Sequence, residues 1–187
     1  MMNTGTLTLV VTLVCAAASL AGGPARAREP KAPAPMDALK GFAGHGSCTG
    51  KVMPGDENPG HASTGGYHGE KVLDGHWIVF HYDEDRTAAN PKPFHVVQDM
   101  SYDETTKRYV AVLFDNTESV YGSGSSAGWE GDTFTLDTVP SSNPGNIAFR
   151  DVFTRDKAGV VTRHQGMMRD ASGKWVETDE ESCKKTS

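Results

Sequence analysis

The chain has 187 residues, with 24 acidic side chains against 18 basic ones and a mean hydropathy of −0.46. That length fits one domain, and Lys and Arg scattered singly or in pairs leave no basic patch for a nucleic acid or an anionic membrane surface. The apolar, uncharged run from Thr6 to Ala21 is shorter than the roughly 20 residues a spanning helix needs and is followed by small residues and Pro24, which argues against a membrane anchor.

Ala25-Arg26-Ala27 follows that run with the small-x-small form of a signal-peptidase site, so residues 1–27 read as a cleaved leader and the protein as exported, periplasmic or secreted. A lipoprotein with Cys15 modified is the alternative, but Val14 stands where a small residue should precede such a cysteine. Cleavage leaves 160 residues, removes only Arg26 among the charges and moves the net charge from −6 to −7. Residues 28–40 form a flexible lead-in rich in proline. Within it, Met36 begins a single helical turn that would plug or cap one end of the domain and stop at Gly41. The folded domain is 41–187.

From there the chain reads as strands. Ser47 to Val52 is the first, ended by two prolines and two glycines in Met53 to Gly60, and His61 to about Leu73 is the second. Gly75 to Tyr82 is the densest apolar and aromatic run after the leader, so it reads as a strand crossing the core. Its side chains alternate, so Trp77 with His81 and Phe80 with Tyr82 are two competing sets, one of which faces inward. Arg86 to Pro93 is a loop. Phe94 to Tyr102 and Arg108 to Asp115 make a hairpin around Asp103 to Lys107. Val120-Tyr121 begins like a strand, and Gly122-Ser123-Gly124-Ser125-Ser126 suggests that it gives way to a mobile loop. Thr133 to Val139, Ile147 to Thr154, Val160 to Arg169 and Lys174 to Cys183 are the remaining strands. On the last of them Trp175, Glu177, Asp179, Glu181 and Cys183 share one parity, which points to a bulge.

Many short strands with short connections and little helix predict an all-β antiparallel barrel or sandwich. Up-and-down order and closure favour a single barrel of about ten strands. Such a barrel is wide enough for a cavity, and all fifteen aromatic residues lie at or after Phe42 to line it. After leader cleavage the cysteines are Cys48 and Cys183, one near each end. In a closed barrel the first and last strands are neighbours, so the two are expected to form a disulfide.

Gly41 to Lys51 with its cysteine, Trp77 after Asp74-Gly75, Tyr102-Asp103, Gly128 to Asp132 and Glu181-Ser182-Cys183-Lys184 together resemble a family of small secreted bacterial proteins of unknown function. Its members look like lipocalin-type, or calycin-type, barrels. The resemblance covers about Gly41 to Lys185 and matches both cysteines. It departs at Gly46, where the family usually has a tryptophan. It implies fold, export and disulfide, and about ligands it offers only analogy of fold.

The candidate cavity lining is Trp77, Phe80, His81, Tyr82, His95, Asp99 and His164. The expected function is binding of a small, partly apolar ligand in the barrel interior, by a monomer or small homo-oligomer with no resident cofactor. Similar ten-stranded barrels can hold haem through one histidine near the C-terminal strands, which makes His164 the anchor of an alternative reading. No HxH, HExxH or zinc-spaced cysteine pattern supports a metal. No nucleophile elbow is present, since Gly122-Ser123-Gly124 lacks its context. An enzyme on this barrel would need inward carboxylates, for which Asp99, Asp151 and the Glu177 to Glu181 group are candidates. A filled barrel acting as an envelope structural or interaction module is the other alternative.

Overall fold

The computed structural model describes residues 32, 34–55, 59–117, 121–142, 145–146 and 148–186. The leader, residues 28–31 and 33 of the lead-in, Val120 and Ile147 lie outside these described residues. Among the described residues, no helix is long and apolar enough to cross a membrane.

The alternating segments form eleven antiparallel strands: β1 (Gly44–Val52), β2 (His61–Val72), β3 (Trp77–Glu84), β4 (His95–Asp103), β5 (Arg108–Asp115), β6 (Tyr121–Ser126), β7 (Trp129–Glu130), β8 (Thr133–Pro140), β9 (Phe149–Arg155), β10 (Val161–Arg169) and β11 (Trp175–Thr186). β7 is a two-residue flap on β8. The other ten close into an up-and-down barrel, completed where β1 meets β11 and where β6 pairs with β8 past β7. At the β1–β11 seam Cys48 stands directly opposite Cys183, and a disulfide joins them across 135 residues of chain.

The Gly122–Ser126 stretch is therefore not a mobile loop: it is the inner part of β6, hydrogen-bonded to β5 on one side and β8 on the other. Its glycines answer to packing. A Cβ at Gly122 would lie 2.6 Å from Thr138 Cγ2 and one at Gly124 2.9 Å from Leu136 Cδ1, so the closing strand must be thin for β8 to fit against it. The bulge expected on the final strand is present opposite Gly166/Met167, where Gly166 pairs with Asp179 but Met167 pairs with Glu177. The extra residue is Thr178. It lets Asp179, Glu181 and Cys183 face inward while Trp175 stays outside, under the guanidinium of Arg150.

The N-terminal turn is a nine-residue 3-10 segment, Ala34–Phe42, and it does plug the barrel. Three residues per turn put Met36, Leu39 and Phe42 on one face, and all three are at most 1% exposed. Phe42 packs among Phe80, Trp129, Phe134 and Phe153 with ring centroids 5.0–6.0 Å apart. Trp129 Nε1 donates to the Ala38 carbonyl at 2.9 Å and Tyr109 Oη to that of Pro35 at 3.0 Å, which satisfies plug carbonyls in an apolar setting. The segment runs through Gly41 rather than stopping there. Gly41 is needed because a Cβ would overlap the Gly159 carbonyl.

Tyr67 lies over Gly46, where a Cβ would overlap its ring, and it stacks on Phe80 at 5.6 Å. Its hydroxyl is buried without a hydrogen-bond partner, and burial raises its pKa. Tyr67→Phe is expected to raise stability by about 1 kcal/mol, because it removes an unpaired buried hydroxyl and keeps the ring. Chemical unfolding checks this, and a loss of stability would mean that the hydroxyl has a partner.

Candidate functional site

With the plug filling one end, the other half of the interior is polar. It is built around His164 of β10, flanked by β9 and β11. Register places Glu181 and Phe153 beside His164, and Asp179 and Asp151 beside Gly166. Gly166 leaves open the space between its neighbours, since a Cβ there would overlap the Asp179 carboxylate. Into that setting His164 sends both ring nitrogens: Nε2 lies 2.9 Å from Asp151 Oδ1, and Nδ1 lies 2.9 Å from Glu181 Oε2 and 3.2 Å from Asp179 Oδ1. The ring packs on Phe153 at 5.0 Å.

Ionised carboxylates only accept hydrogen bonds, so an imidazole held between them donates from both nitrogens and is an imidazolium. Burial pulls the His164 pKa down, but the bonds to Asp151, Asp179 and Glu181 outweigh it and hold the group well above its ordinary value. Burial also works to raise Asp179, yet the His164 and Thr178 hydrogen bonds keep it below the usual aspartate range. Glu181 is raised, first by burial and then by the Asp179 charge, against the pull of His164.

A second polar group lies on the same inner face of the barrel. Tyr82 shares a 2.9 Å hydrogen bond with Ser63, and its pKa is pushed up to about 12. Burial is the main cause, opposed by the Ser63 bond and helped by the charges of Glu181, Glu84 and Asp179. Glu84 is only 5% exposed and accepts from His61 Nε2 at 2.7 Å, Asn90 Nδ2 at 2.6 Å and the Phe94 backbone N–H at 3.0 Å. These bonds hold the loop between β3 and β4 down onto the barrel. On the opposite wall, Gln98 and Thr138 are each 3% exposed and face inward, and Gln98 Nε2 and Thr138 Oγ1 have no protein partner.

Of the residues expected to line the interior, Phe80, Tyr82 and His164 do so. Trp77, His81, His95 and Asp99 belong to the other parity and lie on the outer face. Phe80 touches the plug and Ile78 is fully buried, which makes the even positions of β3 the inner ones. His95 Nδ1 bonds Asp83 at 2.8 Å outside, and Asp99 sits opposite Val79 and Val112. Ser63, Glu84, Gln98 and Thr138 are buried on the inner face without being expected there. Glu84 shares a face with Phe80 and Tyr82, a signal masked by its place in the charged run that ends the strand. Gln98 and Thr138 carry no local signal at all. A surface depression of about 330 Å³ lies over Arg108, Ser123, Ser125 and Asp137.

The donor set His164, Asp179 and Glu181, with ligand atoms all within 4.8 Å of one another, could hold a cation in place of protons. It does not fit haem. Both ring nitrogens of His164 are turned onto carboxylates, and three carboxylates crowd the position, so a porphyrin has no apolar slot in which to bring its iron to the imidazole.

No curated protein matches the chain. Among solved structures, Rv2717c from M. tuberculosis is similar at TM-score 0.60 and 11% identity, over 84% of this chain and 100% of that one. At that identity the likeness is one of fold, a ten-stranded antiparallel barrel consistent with the lipocalin-like architecture. The profile of the DUF1579 family, described as "Protein of unknown function", matches residues 32–184 and so spans plug, barrel and disulfide. The chain belongs to the DUF1579 family of proteins of unknown function.

Proposed function

We propose that the protein is an exported binding barrel that holds a small, partly apolar ligand in the half of its interior away from the plug. The observation that carries this is the pair of unpartnered groups, Gln98 Nε2 and Thr138 Oγ1, buried and aimed inward from β4 and β8. Leaving such a group unpaired costs about 1–3 kcal/mol, and a ligand that supplies partners recovers that cost on binding. Apolar wall comes from Phe80, Leu113 and Leu136, which flank Gln98 and Thr138 in the register and packing of the strands. The three carboxylates around one imidazolium leave the opposite wall negative, so the ligand's polar head carries hydrogen-bond donors or positive charge. The disulfide supports export, because such bonds persist in oxidising compartments.

Native mass spectrometry with an absorbance spectrum, on protein exported to an oxidising compartment and purified without denaturant, tests the reading. A discrete adduct is expected on the wild type and none on the Gln98→Met/Thr138→Val variant. That variant should itself be as stable as the wild type or more so. An adduct that survives both substitutions would place the ligand elsewhere, and a Soret band would overturn the proposal in favour of haem.

A further inference from the structure

The seven histidines are scattered in sequence, yet the register gathers three of them into one row on the outer face. His45 of β1 pairs directly with His68 of β2, and His68 pairs directly with His81 of β3. The His45 and His68 rings are parallel within 3° with centroids 4.4 Å apart, and those of His68 and His81 follow at 6.1 Å and 17°. None of the three is buried, and their parity is opposite to that of Cys48, Tyr67 and Tyr82 inside. Two residues further along the same face, Glu70 follows His68 on β2, and Asp83 follows His81 on β3, already paired with His95.

We propose that this ladder is a surface site for a divalent transition-metal ion that prefers imidazole, Cu²⁺ ahead of Zn²⁺, with His45 and His68 as the chelating pair and His81 as third ligand. Directly opposed residues hold their Cβ atoms about 4.5–5.5 Å apart. Metal–nitrogen bonds of about 2.0–2.1 Å put two cis nitrogens about 2.8–2.9 Å apart in the tetragonal shell of Cu²⁺ and about 3.3 Å apart in the tetrahedral shell of Zn²⁺, separations that two such imidazoles reach by side-chain rotation without moving the strands. The strands are fixed by the barrel, so the three backbone positions are set before the ion arrives and only the side chains have to turn. A neutral imidazole offers the intermediate softness that Cu²⁺ and Zn²⁺ select over Mg²⁺ or Ca²⁺, and Cu²⁺ binds the same donors more tightly than Zn²⁺. The site is independent of the interior reading and shares no residue with it.

The test uses the full exported chain, oxidised and free of any polyhistidine tag, titrated with Cu²⁺ against glycine as competing chelator and examined by electron paramagnetic resonance. One ion per chain is expected, with nitrogen couplings from two or three imidazoles. His68→Asn removes the shared ligand and should weaken binding by at least about tenfold, since even second-shell losses cost 10–100-fold. His45→Asn should also weaken it, and His76→Asn, outside the ladder, should leave it unchanged. Each variant is on the surface and its fold is checked by circular dichroism. Binding that is indifferent to His68→Asn, no binding in competition with glycine, or a spectrum with a single nitrogen among oxygen ligands, as His164 with Asp179 and Glu181 would give, each overturns the proposal.

Discussion

Replacing His164 by asparagine is expected to destabilise the folded chain by about 1–3 kcal/mol at neutral pH, less than the cost of breaking a fully buried ion pair because His164, Asp151 and Asp179 are only partly buried. The amide cannot donate to Asp151 on one side and to Asp179 and Glu181 on the other, so the three carboxylates face one another without a cation between them. Urea unfolding with the disulfide intact measures the loss. The pH dependence separates this cause from simple loss of packing. In the wild type the His164 pKa is raised in the folded state, so its contribution is fully present below its ordinary value near 6.5 and is lost as pH rises through the raised value. Asp179 is lowered, so its contribution is present above its ordinary range and lost as pH falls through the lowered value. In the variant the clustered carboxylates bind protons more tightly folded than unfolded, so stability should rise as pH falls towards about 5. An unfolding midpoint with no such rise would remove the electrostatic explanation.

Opening the Cys48–Cys183 bridge is expected to lower stability by up to about 5 kcal/mol, from chain entropy over the 135 residues between the two cysteines. The bridge lies at the seam between β1 and β11, so without it the ends of the chain are free in the unfolded state and the barrel opens there most readily. Cys48→Ala/Cys183→Ala and reduced wild type should show similar losses by chemical unfolding, and earliest amide exchange should appear along β1 and β11. Cys48 is 2% exposed, so alanine is the fitting replacement and serine would add an unpaired hydroxyl. A midpoint unchanged by reduction would mean that strand pairing alone holds the seam.

The two results bear on different links of the same chain of causes. The disulfide is legible in the sequence because it needs only two cysteines near the ends and a barrel that brings its ends together. The His164 cluster is legible only in its members. His164, Asp151, Asp179 and Glu181 all stand out as candidates, but their meeting depends on the Thr178 bulge, which turns Asp179 and Glu181 to the side that His164 occupies. The shared parity of Trp175 and the acidic residues points to a bulge without locating it. Reading Gly122 to Ser126 as a mobile loop fails for a related reason. Glycine and serine have weak local preference for a strand, and here pairing with β5 and β8 and the tight approach of Thr138 and Leu136 decide the conformation.

By itself, then, the amino-acid order determined an all-β antiparallel barrel of about ten strands, a plugging turn before it and the pairing of its two end cysteines. These follow from composition, alternation, turn residues and the neighbourhood of chain ends in a closed sheet, which are all local or topological. Only the tertiary structure decided which face of each strand is inside. Alternation with period two yields two equivalent faces, and the choice of Phe80 and Tyr82 over Trp77 and His81 was made by the Phe42 plug packing on one of them. The same closure register brought His45, His68 and His81 into one row, a neighbourhood set by strand pairing across 23 and 13 residues of sequence and therefore absent from any spacing along the chain.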